Sequence, residues 1–164
     1  AIRHGVSVML RVTLAAVHLL ALGVGLGAVL ERARALGERP LSVDAARRAF
    51  AADTWWAVAA GLWIVTGIWR LMIGAEKATT FYFHNHIFMA KMGFLALVLA
   101  LEVWPMLTLI RWRAQRRHSG SDWQPDAVAA GRVALISYVE AALVVAMVVA
   151  GVAMARGYGL RAGA

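Results

Sequence analysis

VSVMLRVTLAAVHLLALGVGLGAVL, residues 6–30, decides the fold. The run holds one full charge, Arg11, and one histidine, His18, among apolar residues. At 1.5 Å per residue a helix of this length spans roughly 38 Å, enough to cross a hydrocarbon core about 30 Å thick. Three more apolar runs follow at roughly 54–74, 84–110 and 127–155. Backbone polar groups in lipid must be satisfied within the segment, so each run reads as a helix. A strand barrel would need short alternating segments, which the chain lacks. The expectation is an all-α, integral membrane, antiparallel four-helix bundle forming one domain over residues 1–164.

Composition agrees. The chain is 62% hydrophobic with mean hydropathy +0.68, against about 45–50% apolar for a soluble domain. The absence of cysteine removes thiolate and iron–sulfur chemistry. A net charge of +8 invites a nucleic-acid reading, but the basic residues are placed otherwise. Arg32, Arg34, Arg39, Arg47, Arg48, Arg111, Arg113, Arg116 and Arg117 fall in the two longer connections, while the opposite ends carry Arg3, Arg70, Lys77, Arg156 and Arg161. That asymmetry puts the longer connections in the cytoplasm and both termini outside. It implies a multi-pass protein of a cytoplasmic membrane, with lipid headgroups as partners of the basic loops and no nucleic acid. The first run is too long for a signal-peptide core and reads as a retained span.

The first connection contains Pro40, Ser42 and Asp44, and either of the last two suits the cap of a short interfacial helix. Asp53 stands where a cap of the second span is expected, and Pro125-Asp126 opens the fourth. Trp55, Trp69, Tyr82, Trp104, Trp112, Trp123 and Tyr158 fall near span ends, as an anchoring belt would.

The polar residues inside the spans recur every seven positions. His4, Arg11, His18 and Gly25 line up on the first span, Trp56, Trp63 and Arg70 on the second, His84 and Lys91 on the third, and Glu140, Met147 and Met154 on the fourth. Glu102 returns to the His84 line. Seven residues miss two helical turns by only about 20°, so each set forms one stripe. Ionisable groups in lipid face the bundle interior and mark functional sites.

His18 lies mid-span, where an imidazole can ligate haem iron or another metal, carry protons, or hydrogen-bond to a neighbouring helix. Gly25, between Gly23 and Gly27, removes bulk on the same stripe. That leaves room for a flat macrocycle, although Gly23 and Gly27 also form a helix-packing pattern. Arg11, Arg70 and Lys91 share the outer third of the membrane and suit an anion such as haem propionates. The alternative is snorkelling, which fits Arg70 best. Glu140, near the depth of His18, reads as a partner of His18, a proton acceptor or a charge partner. Glu102 reads as a neutralising acid nearer the cytoplasm. Lys91 and Glu140 are the candidate catalytic pair. His84, His86, Met89 and Met92 together suit copper, the thioethers Cu(I). Against that, His84 and His86 diverge on a helix. Met147 is a candidate axial ligand with packing as its plainer role.

Phe81-Tyr82-Phe83-His84-Asn85-His86-Ile87-Phe88-Met89-Ala90-Lys91-Met92, Gly67-Ile68-Trp69-Arg70, Arg111-Trp112-Arg113 and Ala155-Arg156-Gly157 resemble a family of small bacterial four-helix membrane proteins known only as a domain of unknown function. That family is distantly similar to the integral-membrane protoporphyrinogen oxidase of haem synthesis, which binds haem b, and to the copper-resistance D group. Both place a histidine in the first span, matching His18. The oxidase also carries a histidine two positions before a lysine in its third span. Here Lys91 matches the lysine and Met89 takes the place of that histidine.

The resemblance implies a haem b protein of electron transfer or porphyrin-type redox chemistry. His18 would be its axial ligand and His84 a second candidate. Copper handling, and a non-catalytic small subunit of a larger membrane complex, are the alternatives. A redox partner, a larger complex and self-association are the partner classes left open.

Overall fold

A computed structural model describes residues 2–73 and 85–159. Four helices carry them: α1 (Ile2–Gly37), α2 (Val43–Met72), α3 (His86–Ser119) and α4 (Ala127–Ala155), with a short 3-10 turn at Gly120–Asp122 between α3 and α4. All four are long and apolar enough to cross a membrane. Partners move in opposite directions along neighbouring helices, which makes the bundle antiparallel. On α1 and α2, His18 pairs with Thr66 and Arg32 with Asp53.

The helices outrun the expected spans, mostly on the side of the longer connections. α1 continues through Glu31-Arg32-Ala33-Arg34 to Gly37, seven residues past the apolar run. Only a short link then remains before Ser42, whose side chain accepts from the Ala45 N–H and starts α2. The expected interfacial helix is therefore the first part of α2 itself. Asp53 caps nothing. It lies inside α2, buried. Asp126 does cap α4, accepting from the Val128 and Ala129 N–H groups.

The core divides into two apolar clusters. One, at the connection end, packs Leu36, Phe50, Leu109, Trp112, Trp123 and Val133 with small alanines. Trp112 meets Trp123 edge to face, ring centroids 6.0 Å apart, an arrangement favoured by ring quadrupoles. These two tryptophans are core residues rather than part of an interfacial belt. Trp55, Trp69 and Tyr158 do stand exposed. The second cluster lies mid-bundle and joins Val29, Trp56, Val98, Val144 and Met147. Met147 is almost completely buried there, so packing is its role.

At the other end Asn85 ties α3 to the C-terminal end of α4. It is fully buried, caps α3 through the Ile87 and Phe88 N–H groups, and donates its amide to the Tyr158 carbonyl. Gly159 packs directly on it. Its φ is +88°, and a Cβ there would stand 2.6 Å from Asn85 Oδ1. Only glycine satisfies both demands.

Candidate functional site

Between the two apolar clusters lies a layer of charge. On every helix the charged residue sits between members of the two clusters: Arg32 between Val29 and Leu36, Asp53 between Phe50 and Trp56, Glu102 between Val98 and Leu109, Glu140 between Ala134 and Val144. Arg32 is fully buried at the centre. Its Nε donates to Ser137 Oγ at 2.9 Å. Nη1 donates to Asp53 Oδ1 and Glu102 Oε1, both at 2.8 Å. Nη2 donates to Glu102 Oε2 and Glu140 Oε2, both at 2.7 Å. A guanidinium has five N–H donors, and all five are committed here. The fork on Glu102 is bidentate, the strongest geometry available to this pair.

Arg113 completes the layer from the connection end. It donates to Asp53 Oδ2 at 2.9 Å and to the Phe50 carbonyl at 2.8 Å, and stands over the Phe50 ring. Ser137 in turn donates to the Val133 carbonyl within α4.

Arg32 was expected in a cytoplasmic loop, and the structure corrects that. The flank Glu31-Arg32-Ala33-Arg34 reads as solvated because its average composition is polar, yet only Arg32 of its charged members points inward. The seven-residue stripe was the available signal. Extended one step beyond His18 and Gly25, it lands on Arg32. Glu102 and Glu140 accordingly neutralise this buried cation, and Glu140 pairs with Arg32 rather than with His18.

The second polar group lies 14 residues away on α1, roughly 21 Å by helix rise. His18 Nδ1 stands 2.9 Å from Thr66 Oγ1. The Thr66 hydroxyl has one proton, and the Leu62 carbonyl takes it at 2.7 Å. With that proton so placed, His18 donates through Nδ1–H and carries its lone pair on Nε2. Trp63 stacks on the ring with centroids 5.5 Å apart, and a Cβ on Gly67 would come within 3.2 Å of His18 Cε1. Thr66, Trp63 and Gly67 thus form a seat on α2 for this one imidazole. Arg70 and Lys91 lie within electrostatic reach of it.

Other expected members are placed elsewhere. Arg11 is exposed, and Leu14 is the first buried residue among those whose burial on α1 is described. A seven-residue stripe drifts about 20° per repeat on a straight helix, which accumulates to about 60° between Arg32 and Arg11. Gly25 opens no space for a macrocycle, because its absent side chain admits Ala59 at 3.3 Å and the Trp56 ring at 3.4 Å. Gly23 and Gly27 are turned outward, with nothing within 4 Å of where a Cβ would stand. Of the copper candidates, His86 and Met89 are exposed, and His84 lies outside the described residues. Among the described residues no group of three or more histidine, aspartate or glutamate side chains is placed to hold a metal ion.

A model for a family described as predicted membrane protein (DUF2214) matches residues 10–159. No curated protein and no solved structure matches the chain.

Proposed function

The chain belongs to this predicted membrane protein family, and from that premise we propose that it is a haem b-binding protein of electron transfer or porphyrin-type redox chemistry. His18 is the iron ligand in this reading. The observation that carries it is the Thr66 bond at Nδ1, which leaves Nε2 as the lone pair. Histidine ligands characteristically donate their other N–H to a fixed acceptor, which sets ring orientation and raises basicity.

The donor set fits the group. An imidazole with its tautomer fixed supplies the iron ligand, and Arg70 and Lys91 supply positive charge within reach of it, as propionates require. Lys91 thus takes a binding role in this reading. The void bordered by Trp56, Trp63 and Val144 measures only about 10 Å³, at the threshold for a single water. That void is too small for a macrocycle, so one held by His18 would lie outside it. Haem would supply a one-electron couple. The chain's own part is to hold Nδ1–H on Thr66, keep the ring against Trp63, and place cations for the carboxylates. The charge asymmetry of the connections favours a bacterial inner membrane with both termini outside.

The test is a visible spectrum of detergent-purified protein from haem-supplied cells, oxidised and dithionite-reduced. The reading expects a Soret band with sharp reduced α and β bands, lost in His18→Ala and altered in Thr66→Val. A featureless spectrum, or a His18→Ala variant that keeps the parent spectrum, overturns it.

A further inference from the structure

The Arg32 layer has an unequal charge count. Three carboxyl groups, Asp53, Glu102 and Glu140, meet two guanidiniums, Arg32 and Arg113. Glu140 is fully buried, and its Oε1 has no hydrogen-bond partner among the described residues. Glu140 Oε2 and Glu102 Oε2 both accept from the same Arg32 nitrogen, at 2.7 Å each. Full ionisation would leave one uncompensated negative charge between two apolar clusters, with two carboxylates in repulsive contact. A metal cation would have to enter among oxygens that Arg32 already occupies. A single proton removes the excess charge and relieves the repulsion between the two carboxyl groups that share that nitrogen.

We propose that the Arg32 layer is a binding site for one proton, shared between the carboxyl groups of Glu102 and Glu140 inside the bundle. The groups that face it are Arg32 from α1, Asp53 from α2, Glu102 and Arg113 from α3, and Glu140 and Ser137 from α4. The site takes up or releases H⁺ without any change of oxidation state. It stands on geometry separate from His18, so it holds whether or not the chain binds haem.

Infrared spectroscopy of the full chain reconstituted in lipid vesicles tests it, at neutral pH and in sodium-free buffer. The wild-type protein should show the carbonyl stretch of a buried protonated carboxylic acid, downshifted in D2O. Glu140→Gln and Glu102→Gln should each abolish it. Either amide leaves two carboxylates against two guanidiniums, so the remaining acid ionises. Absence of the band in the wild-type protein overturns the proposal without any variant. So does a band that survives either substitution, because charge balance then does not govern the proton. A band that disappears when sodium is added at constant pH identifies a metal-cation site instead and overturns it too.

Discussion

Replacing Arg32 by alanine removes the one group that all the carboxyls of the layer share. Five hydrogen bonds are lost at once, to Ser137, Asp53, Glu102 twice and Glu140. The larger cost is the charge left behind. Removing one partner of a buried ion pair costs about 3–5 kcal/mol, because the other stays buried and uncompensated. Arg32 serves three carboxyls, and only Asp53 keeps a second cation, Arg113, so the upper part of that range applies. At roughly 2–4 °C per kcal/mol for a chain of this length, the apparent unfolding midpoint should fall by roughly 10 °C or more. Circular dichroism of the purified protein in one fixed detergent measures it. Arg32→Lys should fall between, since an ammonium keeps the charge but offers three donors and no planar fork. Combining Arg32→Met with Glu102→Gln and Glu140→Gln should recover much of the loss, because neutral replacement of a whole buried network is often tolerated. An Arg32→Ala protein within about 1 kcal/mol of the parent, on the scale of an exposed ion pair, would refute the reasoning. So would a combined variant no more stable than Arg32→Ala alone.

Three further outcomes follow from single positions. Gly159→Ala should loosen the junction between α3 and α4, since its backbone is at φ +88° and its Cβ would meet Asn85 Oδ1 at 2.6 Å. A cost of about 1–3 kcal/mol should appear in thermal unfolding, with faster amide exchange at Ile87 and Phe88. Met147→Ala should cost about 2–5 kcal/mol, because the side chain fills the middle cluster. A loss below about 1 kcal/mol, the scale of a well-tolerated volume change, would show that the site collapses around it. Gly67→Ala should push the His18 ring off its seat, given the 3.2 Å approach to Cε1, and weaken the Thr66 bond. Imidazole NMR shifts identical to those of the parent would contradict that placement.

How much of the site was legible in the sequence depended on the reach of the signal. His18, Arg70 and Lys91 could be grouped in advance because each is a polar interruption of an apolar run. Thr66 and Gly67 could not, since neither residue type stands out within a span. Arg32 was misread because a window that averages Glu31, Arg32 and Arg34 reports a polar flank, whereas burial is decided residue by residue on each helix face. Asp53 was misread for a related reason: an aspartate before two tryptophans has the local look of a cap, and only the approach of α1 and α3 reveals its two arginine partners.

The sequence by itself determined the four helices and their membrane-crossing character, because hydropathy over about 20 residues and backbone satisfaction in lipid are local properties of the chain. It also determined one face of each helix, through a period that the α-helical turn imposes. The tertiary structure alone decided which charges meet. The Arg32 layer joins residues 21 to 108 positions apart, and no local pattern encodes such a distance. It exists because the four helices stack in register, and because a buried guanidinium must find oxygen partners on all sides.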